Sequence, residues 1–248
     1  DDGTDTNDTR LGAVKDIQFA IDTLGLDDDM LVIAGTGSND TAYAISLTKF
    51  SCEVGADAML LVTPYYNKAT QNGLVKLFRE YASVSDVPII AYNVPSRTGM
   101  TISVDTYVEL AKHPNIVATK EASGNFSLIA EIAAKTDLDI YSGNDDQVLG
   151  VLAFGGKGVI SVSSNVIPKE KHNMVMLYLN GEREKALELQ NKYLDMENAM
   201  FIDVNPIPVK EAMNLMGKNV GECRLPLVKM EAAKIEKLRN ELAKVGLV

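Results

Sequence analysis

What this chain has little of narrows its possibilities before any motif is read. It holds two cysteines and two histidines in 248 residues. Cys52 falls in a helix-like segment and Cys223 in a distant polar loop, so no disulfide framework is implied and a reducing, cytoplasmic setting is expected. No His/Cys spacing matches a ligand set, and Asp27-Asp28-Asp29 reads as loop, so no metal is expected. His113 and His172 sit in polar helix-end contexts and read as solvated. Basic residues are in deficit: 24 Lys and Arg face 34 Asp and Glu, for a net charge of −10. That balance argues against a nucleic acid or an anionic membrane as partner, because both need clustered cations. No apolar run reaches membrane-spanning length, and the opening Asp1-Asp2-Gly3-Thr4-Asp5-Thr6-Asn7-Asp8 has neither the basic flank nor the apolar core of a signal peptide.

What is present is a repeating alternation. Short β-branched and apolar runs lie at Leu31 to Ala34, Ala58 to Val62, Pro88 to Tyr92, Asn115 to Thr119, Leu138 to Tyr141 and Gly158 to Val162. Between them, apolar residues spaced by three and four predict helices at Thr41 to Val54, Gly73 to Ser83, Val104 to Lys112, Phe126 to Lys135 and Gln147 to Phe154. Strands apolar on both faces and separated by single helices imply a parallel α/β sheet, and the expectation is a TIM-type (β/α) barrel. Polar residues gather just after the strands, at the end where barrels of this kind carry their reactive groups. After Val162 only helices are predicted: Pro168 to Leu179, Glu182 to Phe201, Pro208 to Met216 and Val228 to Val245. Residues 1–180 are therefore read as the barrel part and 181–248 as a helical appendage. Met174, Met176, Met196, Met200, Met213 and Met216 read as helix-packing core.

The chemistry centres on Lys120, which ends the run Ile116-Val117-Ala118-Thr119 and enters the turn Glu121-Ala122-Ser123-Gly124. A lysine there either caps the strand in solvent or opens into a pocket. In the second case desolvation leaves a neutral amine able to attack a carbonyl and form a Schiff base. Tyr92 ends the preceding strand, where its phenol would shuttle protons for imine formation, or would simply cap the strand. Arg97 follows in Asn93-Val94-Pro95-Ser96-Arg97-Thr98-Gly99 and offers a planar fork for a carboxylate, or a surface ion pair. Three such groups at the ends of adjacent strands favour the pocket. Tyr65 and Tyr66 follow another strand and must point in different directions, one toward the pocket and one toward an interface. Gly143 and the turn Gly155-Gly156-Lys157-Gly158 allow close backbone approach to a small anion.

In order along the chain, VIAGTGSN, LLVTPYYN, YNVPSRTG, ATKEASGN, YSGNDD, GGKGVISV and NPIPVKEAM resemble the pyruvate-dependent class I aldolases related to dihydrodipicolinate synthase and N-acetylneuraminate lyase, most closely the synthase branch. The resemblance implies that Lys120 is the Schiff-base lysine, that Tyr92 and Tyr66 are relay tyrosines, with Tyr66 reaching a neighbouring subunit, and that Arg97 binds the carboxylate of aspartate semialdehyde. Gly143 and Ile160 match positions lining the pyruvate pocket. It further implies pyruvate and aspartate semialdehyde as substrates, no cofactor, and a homo-oligomer, dimer or tetramer. A retro-aldol lyase acting on a 2-keto-3-deoxy sugar acid or sialic acid is one alternative; a shortened, catalytically impaired scaffold is another. The family's opening strand, helix and strand, with their GTTGES-type turn, have no counterpart here. The barrel is accordingly expected to be shortened, with one edge to cover, and neither Thr4 nor Thr6 is assigned a role. Asn39 and Tyr65 match the family's lysine cleft, but Tyr43 stands where lysine-sensitive members carry a glutamate, so the resemblance does not carry feedback by lysine over to this chain.

Overall fold

A computed structural model of the chain describes residues 17–23 and 30–248. The readings of Asp1 to Asp8, of Thr4 and Thr6 and of Asp27 to Asp29 lie outside the described residues. Two compact units divide the chain, Asp1–Tyr141 and Ser142–Val248.

The first unit alternates strand and helix. After a helix at 17–23 (α1) come β1 (Ile33–Gly35), α2 (Thr41–Glu53), β2 (Ala58–Val62), α3 (Gln71–Val84), β3 (Ile89–Asn93), a single turn α4 (Pro95–Thr98), α5 (Val104–Leu110), β4 (Ile116–Glu121), α6 (Phe126–Lys135) and β5 (Asp139–Ser142), whose last residue opens the second unit. Sheet order follows chain order from β1, and β1 to β4 pair in parallel. Parallel neighbours cannot be joined by a hairpin, so each crossover is made by helix. One face of β2 and β3 is fully buried, at Met59, Leu61, Ile89 and Ala91, and Ile90 is buried on the opposite face. Helix α3 covers them with Leu74, Leu77, Phe78 and Tyr81, a stripe at three- and four-residue spacing.

Each crossover helix of any length starts on a side-chain cap. Asp40 accepts from the Tyr43 amide at 3.0 Å, Thr70 from Gly73 at 3.2 Å, Ser103 from Thr106 at 3.3 Å and Asn125 from Leu128 at 3.2 Å. These bonds satisfy amides that have no intrahelical acceptor and set where each helix begins. Between β3 and β4 the register is irregular. Ile89 pairs with Ile116, but Ile90 pairs with Ala118, so Val117 is an extra residue and β4 bulges there.

The second unit holds a 3-10 turn (Asp145–Gln147), α7 (Val148–Ala153), β6 (Gly158–Val159), a second 3-10 turn (Ser163–Asn165), α8 (Pro168–Leu179), α9 (Arg183–Ala199), α10 (Ile207–Leu215) and α11 (Ala232–Lys244). Its core packs Tyr193, Met196 and Met200 of the α9 region against Ile207, Leu238 and Leu242. Among the methionines expected in helix packing, Met174, Met196 and Met200 are buried, Met213 and Met216 pack at the margin, and Met176 is exposed.

Several expected elements are shorter than the sequence implies, β6 and the last helix with a visible cause. The strand expected over Gly158 to Val162 ends at Val159, because the Val162 and Ser163 amides donate to the Asp145 carboxylate at 3.0 and 2.9 Å instead of continuing a ladder. The last helix begins at Ala232, not Val228. The run before it stays extended, burying Met230 while Val228 faces solvent. Among the described residues no helix is long and apolar enough to cross a membrane.

Candidate active site

Strand pairing brings the predicted reactive groups together. Tyr92 of β3 lies opposite Lys120 of β4, and the next pair is Asn93 with Glu121. Side chains alternate faces along a strand, so Tyr92 and Lys120 share one face. Lys120 Nζ stands 4.3 Å from the centroid of the Tyr92 ring, a cation-π distance. Both side chains are half-buried. Burial pushes the Tyr92 phenol above its ordinary pKa, and the Arg97 guanidinium partly offsets that shift by favouring the phenolate.

Arg97 sits in α4, which starts on Pro95 and closes on Gly99 in the left-handed conformation, φ +69°. Proline at the first helical position sets its entry and glycine ends it, so this one turn presents Arg97 beside β3. Tyr92 and Arg97, with Val62 at the end of β2, Tyr65 after it and Gly37 after β1, line a cavity of about 350 Å³. Gly37 is required there: a Cβ would meet the Val62 backbone nitrogen at 2.4 Å.

Other predicted residues stand apart from this group. Tyr66 is 94% exposed and holds φ +69°, a left-handed backbone that costs a tyrosine energy, while its neighbour Tyr65 turns into the cavity. Gly143 and Ile160 belong to the second unit, where Gly143 follows the end of β5 and the Ile160 amide donates to the Ser142 carbonyl at 2.9 Å. Histidine 113 is half-buried, contrary to the solvated reading, because its Nδ1 accepts the Asn115 amide at 3.2 Å in the turn before β4. His172 is exposed on α8. Cys52 and Cys223 are free thiols.

A buried polar network behind the lysine was not found from sequence. Glu121 is 1% exposed, and its carboxylate accepts from Asn93 Nδ2 at 3.1 and 3.0 Å, from the Tyr107 hydroxyl at 2.9 Å and from the Ser123 amide at 2.8 Å. Asn93 Oδ1 in turn accepts the Ile102 amide at 3.1 Å, and its carbonyl accepts Ala122 at 2.9 Å. Tyr107 is fully buried with its hydroxyl 3.0 Å from Thr119 Oγ1; desolvation and then the Glu121 charge hold its phenol far above its ordinary pKa. The available signal was positional: Asn93 and Glu121 each follow a reactive residue at a strand end.

The second unit buries a different set. Lys171 of α8 pairs with Glu197 of α9 and lies 3.6 Å from Asp145, all nearly inaccessible to solvent. Gln190 Nε2 bridges the Asp145 carbonyl and Glu197 at 3.2 and 3.1 Å. Desolvation pushes the Glu197 carboxyl up to about 7, outweighing the attraction of Lys171. Among the described residues no group of His, Cys, Asp and Glu is arranged to hold a metal ion.

Comparison with known proteins agrees with the motifs. The chain is 53% identical over 232 residues to a 4-hydroxy-tetrahydrodipicolinate synthase of Caldicellulosiruptor bescii, covering 93% of this chain and 78% of that one. A crystal structure of dihydrodipicolinate synthase from Aquifex aeolicus superposes with TM-score 0.92 at 43% identity, over 95% of this chain and 81% of that one. The pyruvate complex of the chloride-inhibited dihydrodipicolinate synthase from Acinetobacter baumannii gives TM-score 0.91 at 38% identity, over 96% and 81%. With residues 18–245 matching its family model, this chain belongs to the dihydrodipicolinate synthetase family.

Proposed function

We propose that the chain is a Schiff-base lyase of the 4-hydroxy-tetrahydrodipicolinate synthase type, condensing pyruvate with aspartate semialdehyde in lysine and diaminopimelate biosynthesis. The observation that carries it is Lys120 Nζ held 4.3 Å over the Tyr92 ring, with Tyr92 and Arg97 lining one cavity. In this reading the amine of Lys120 attacks the keto carbon of pyruvate, and the resulting carbinolamine loses water to give the imine. Tyr92 transfers the protons these steps need; its half-buried hydroxyl keeps its proton at neutral pH. Loss of a methyl proton gives the enamine, whose carbon attacks the aldehyde while Arg97 binds the aldehyde's carboxylate. The protonated imine is itself the electron sink, so the chemistry needs no metal or organic cofactor.

Several finer assignments belong to the same reading. Gly143 and Ile160 line the pyruvate site, and Tyr66 completes the relay across an interface of a homo-oligomer, dimer or tetramer. The 94% exposure of Tyr66 supports that last assignment. The six strands belong to a TIM-type (β/α) barrel part reaching residue 180, the segment 181–248 is its helical appendage, and the setting is the cytoplasm.

Intact-mass measurement after incubation with pyruvate and borohydride tests the reading. A reduced pyruvyl adduct in the wild type and none in Lys120→Ala, with turnover in a coupled assay, is the expected result. Absence of the adduct overturns Schiff-base chemistry. An adduct with turnover only on sugar-derived aldehydes overturns the synthase assignment and leaves the aldolase alternative.

A further inference from the structure

We propose that Glu121 is a positioning residue for the imine-forming step: its carboxylate, held by Asn93 and Tyr107 on the far side of the sheet, fixes the register that sets Lys120 against Tyr92. The inference rests on the Schiff-base reading of Lys120. Register is the variable that matters, because a slip of one residue between parallel strands moves a side chain to the opposite face. Such a slip already exists one turn of pleat earlier, where Val117 is extra between the Ile89–Ile116 and Ile90–Ala118 pairs. Backbone pairing upstream therefore does not by itself determine which residue of β4 meets Tyr92.

Beyond the bulge the side chains determine it. Asn93 and Glu121 are directly opposed in the register and joined by two hydrogen bonds of 3.1 and 3.0 Å. Sliding β4 by one residue would turn Glu121 toward the Tyr92 face and leave the buried Asn93 amide and Tyr107 hydroxyl without their acceptor, each at the cost of a desolvated polar group. Tyr107 anchors the pair to α5, and the Ile102 amide on Asn93 Oδ1 ties in the segment that follows Arg97. Through Asn93, the carboxylate thus links both strand ends to the segment that follows α4, the turn that bears the guanidinium.

The arrangement is also an expensive way to hold two strands together. A buried carboxylate pays a desolvation cost that an apolar pair of similar volume would avoid. Among the described residues every hydrogen-bond partner of Glu121 is a neutral donor, and none brings a countercharge to it. Neutral donors with defined directions fix geometry closely, which is what a nucleophile beside a proton donor requires.

The test compares the wild type, Glu121→Gln, Glu121→Asp and Tyr107→Phe. The readouts are the single-turnover rate of borohydride-trappable imine formation with pyruvate, its pH profile, and thermal stability on the same samples. Glu121→Gln keeps the volume and puts a donor against the Asn93 donor. It is expected to slow imine formation about tenfold or more with Arg97-dependent binding of the aldehyde less affected. Tyr107→Phe removes one oxygen from a distant helix and is expected to slow the same step severalfold, and Glu121→Asp to recover part of the Gln loss. A wild-type imine rate in a folded Glu121→Gln or Tyr107→Phe protein, whatever the loss in melting temperature, would make the network structural only and overturn the inference. If Glu121→Gln does not fold, Tyr107→Phe decides alone. A wild type that forms no adduct overturns the Schiff-base reading and this inference together; a wild-type adduct with unaffected variants overturns this inference only.

Discussion

The two units bury carboxylates by different means: neutral donors alone in one, neutral donors together with a lysine ammonium in the other. In the first, Glu121 is surrounded by neutral donors and the helices begin on Asp40, Thr70, Ser103 and Asn125, so both the charge and the helix starts are settled by short directional hydrogen bonds. In the second, Asp145 and Glu197 face the Lys171 ammonium, and none of α7 to α11 starts on a side-chain cap; α8 and α10 begin on Pro168 and on Ile207-Pro208. The difference teaches what each region is built to hold. Neutral donors fix angles, which suits strand ends that carry reacting groups. An ion pair holds helices through a strong but less directional attraction, and it makes the fold sensitive to pH.

That contrast can be broken most severely at Lys171. Replacing it with methionine leaves Asp145 and Glu197 buried without their cation and should cost about 3–5 kcal/mol in urea unfolding at about pH 8. The cost should shrink toward about pH 5, where Glu197 takes up a proton, and an equal cost at both pH values would show that Glu197 does not titrate in the fold. Glu121→Gln should lose less, about 1–3 kcal/mol in the same measurement at about pH 8.

Titration of the wild type sharpens the comparison further. Glu197 has a folded value of about 7, above that of an unfolded carboxylate, so between the two values the folded chain binds the extra proton. Its contribution to stability is present in full below the unfolded value and is lost as pH rises through about 7. Urea midpoints across that window should fall with pH in the wild type and flatten in Glu197→Gln; parallel curves would refute the assignment. The smallest effect separates the helix starts. Ser103→Ala should cost about 1 kcal/mol by losing its cap, whereas Glu182→Ala before α9, where the side chain makes only an exposed ion pair with Lys185, should change stability by less than about 0.5 kcal/mol.

Legibility in the sequence follows the same division. Every expected strand is present because runs such as Ala58 to Val62 are short, apolar at successive positions and flanked by helical patterns, which together fit a parallel strand between crossover helices. Lys120, Tyr92 and Arg97 were visible because each stands just past such a run. Glu121, Asn93 and Tyr107 were not, since their bonds join residues 28 and 14 positions apart on the face turned away from the reacting groups. The shortening of β6 was equally hidden: Asp145, 17 residues earlier, takes the Val162 amide, and no local pattern announces that. The late start of α11 arises from the burial of Met230, a tertiary effect that helical periodicity at Val228 cannot anticipate.

The closeness of Gly37 to β2 has a consequence for anyone who would reshape this cavity. With a Cβ at 2.4 Å from the Val62 nitrogen, position 37 accepts no other amino acid without displacing the strand beneath it. That wall is made of main chain and is closed to redesign by substitution. Altered substrate preference would have to come from the side chains that share the cavity, Leu60, Val62, Val94 and Thr98, where volume can be exchanged without moving the frame.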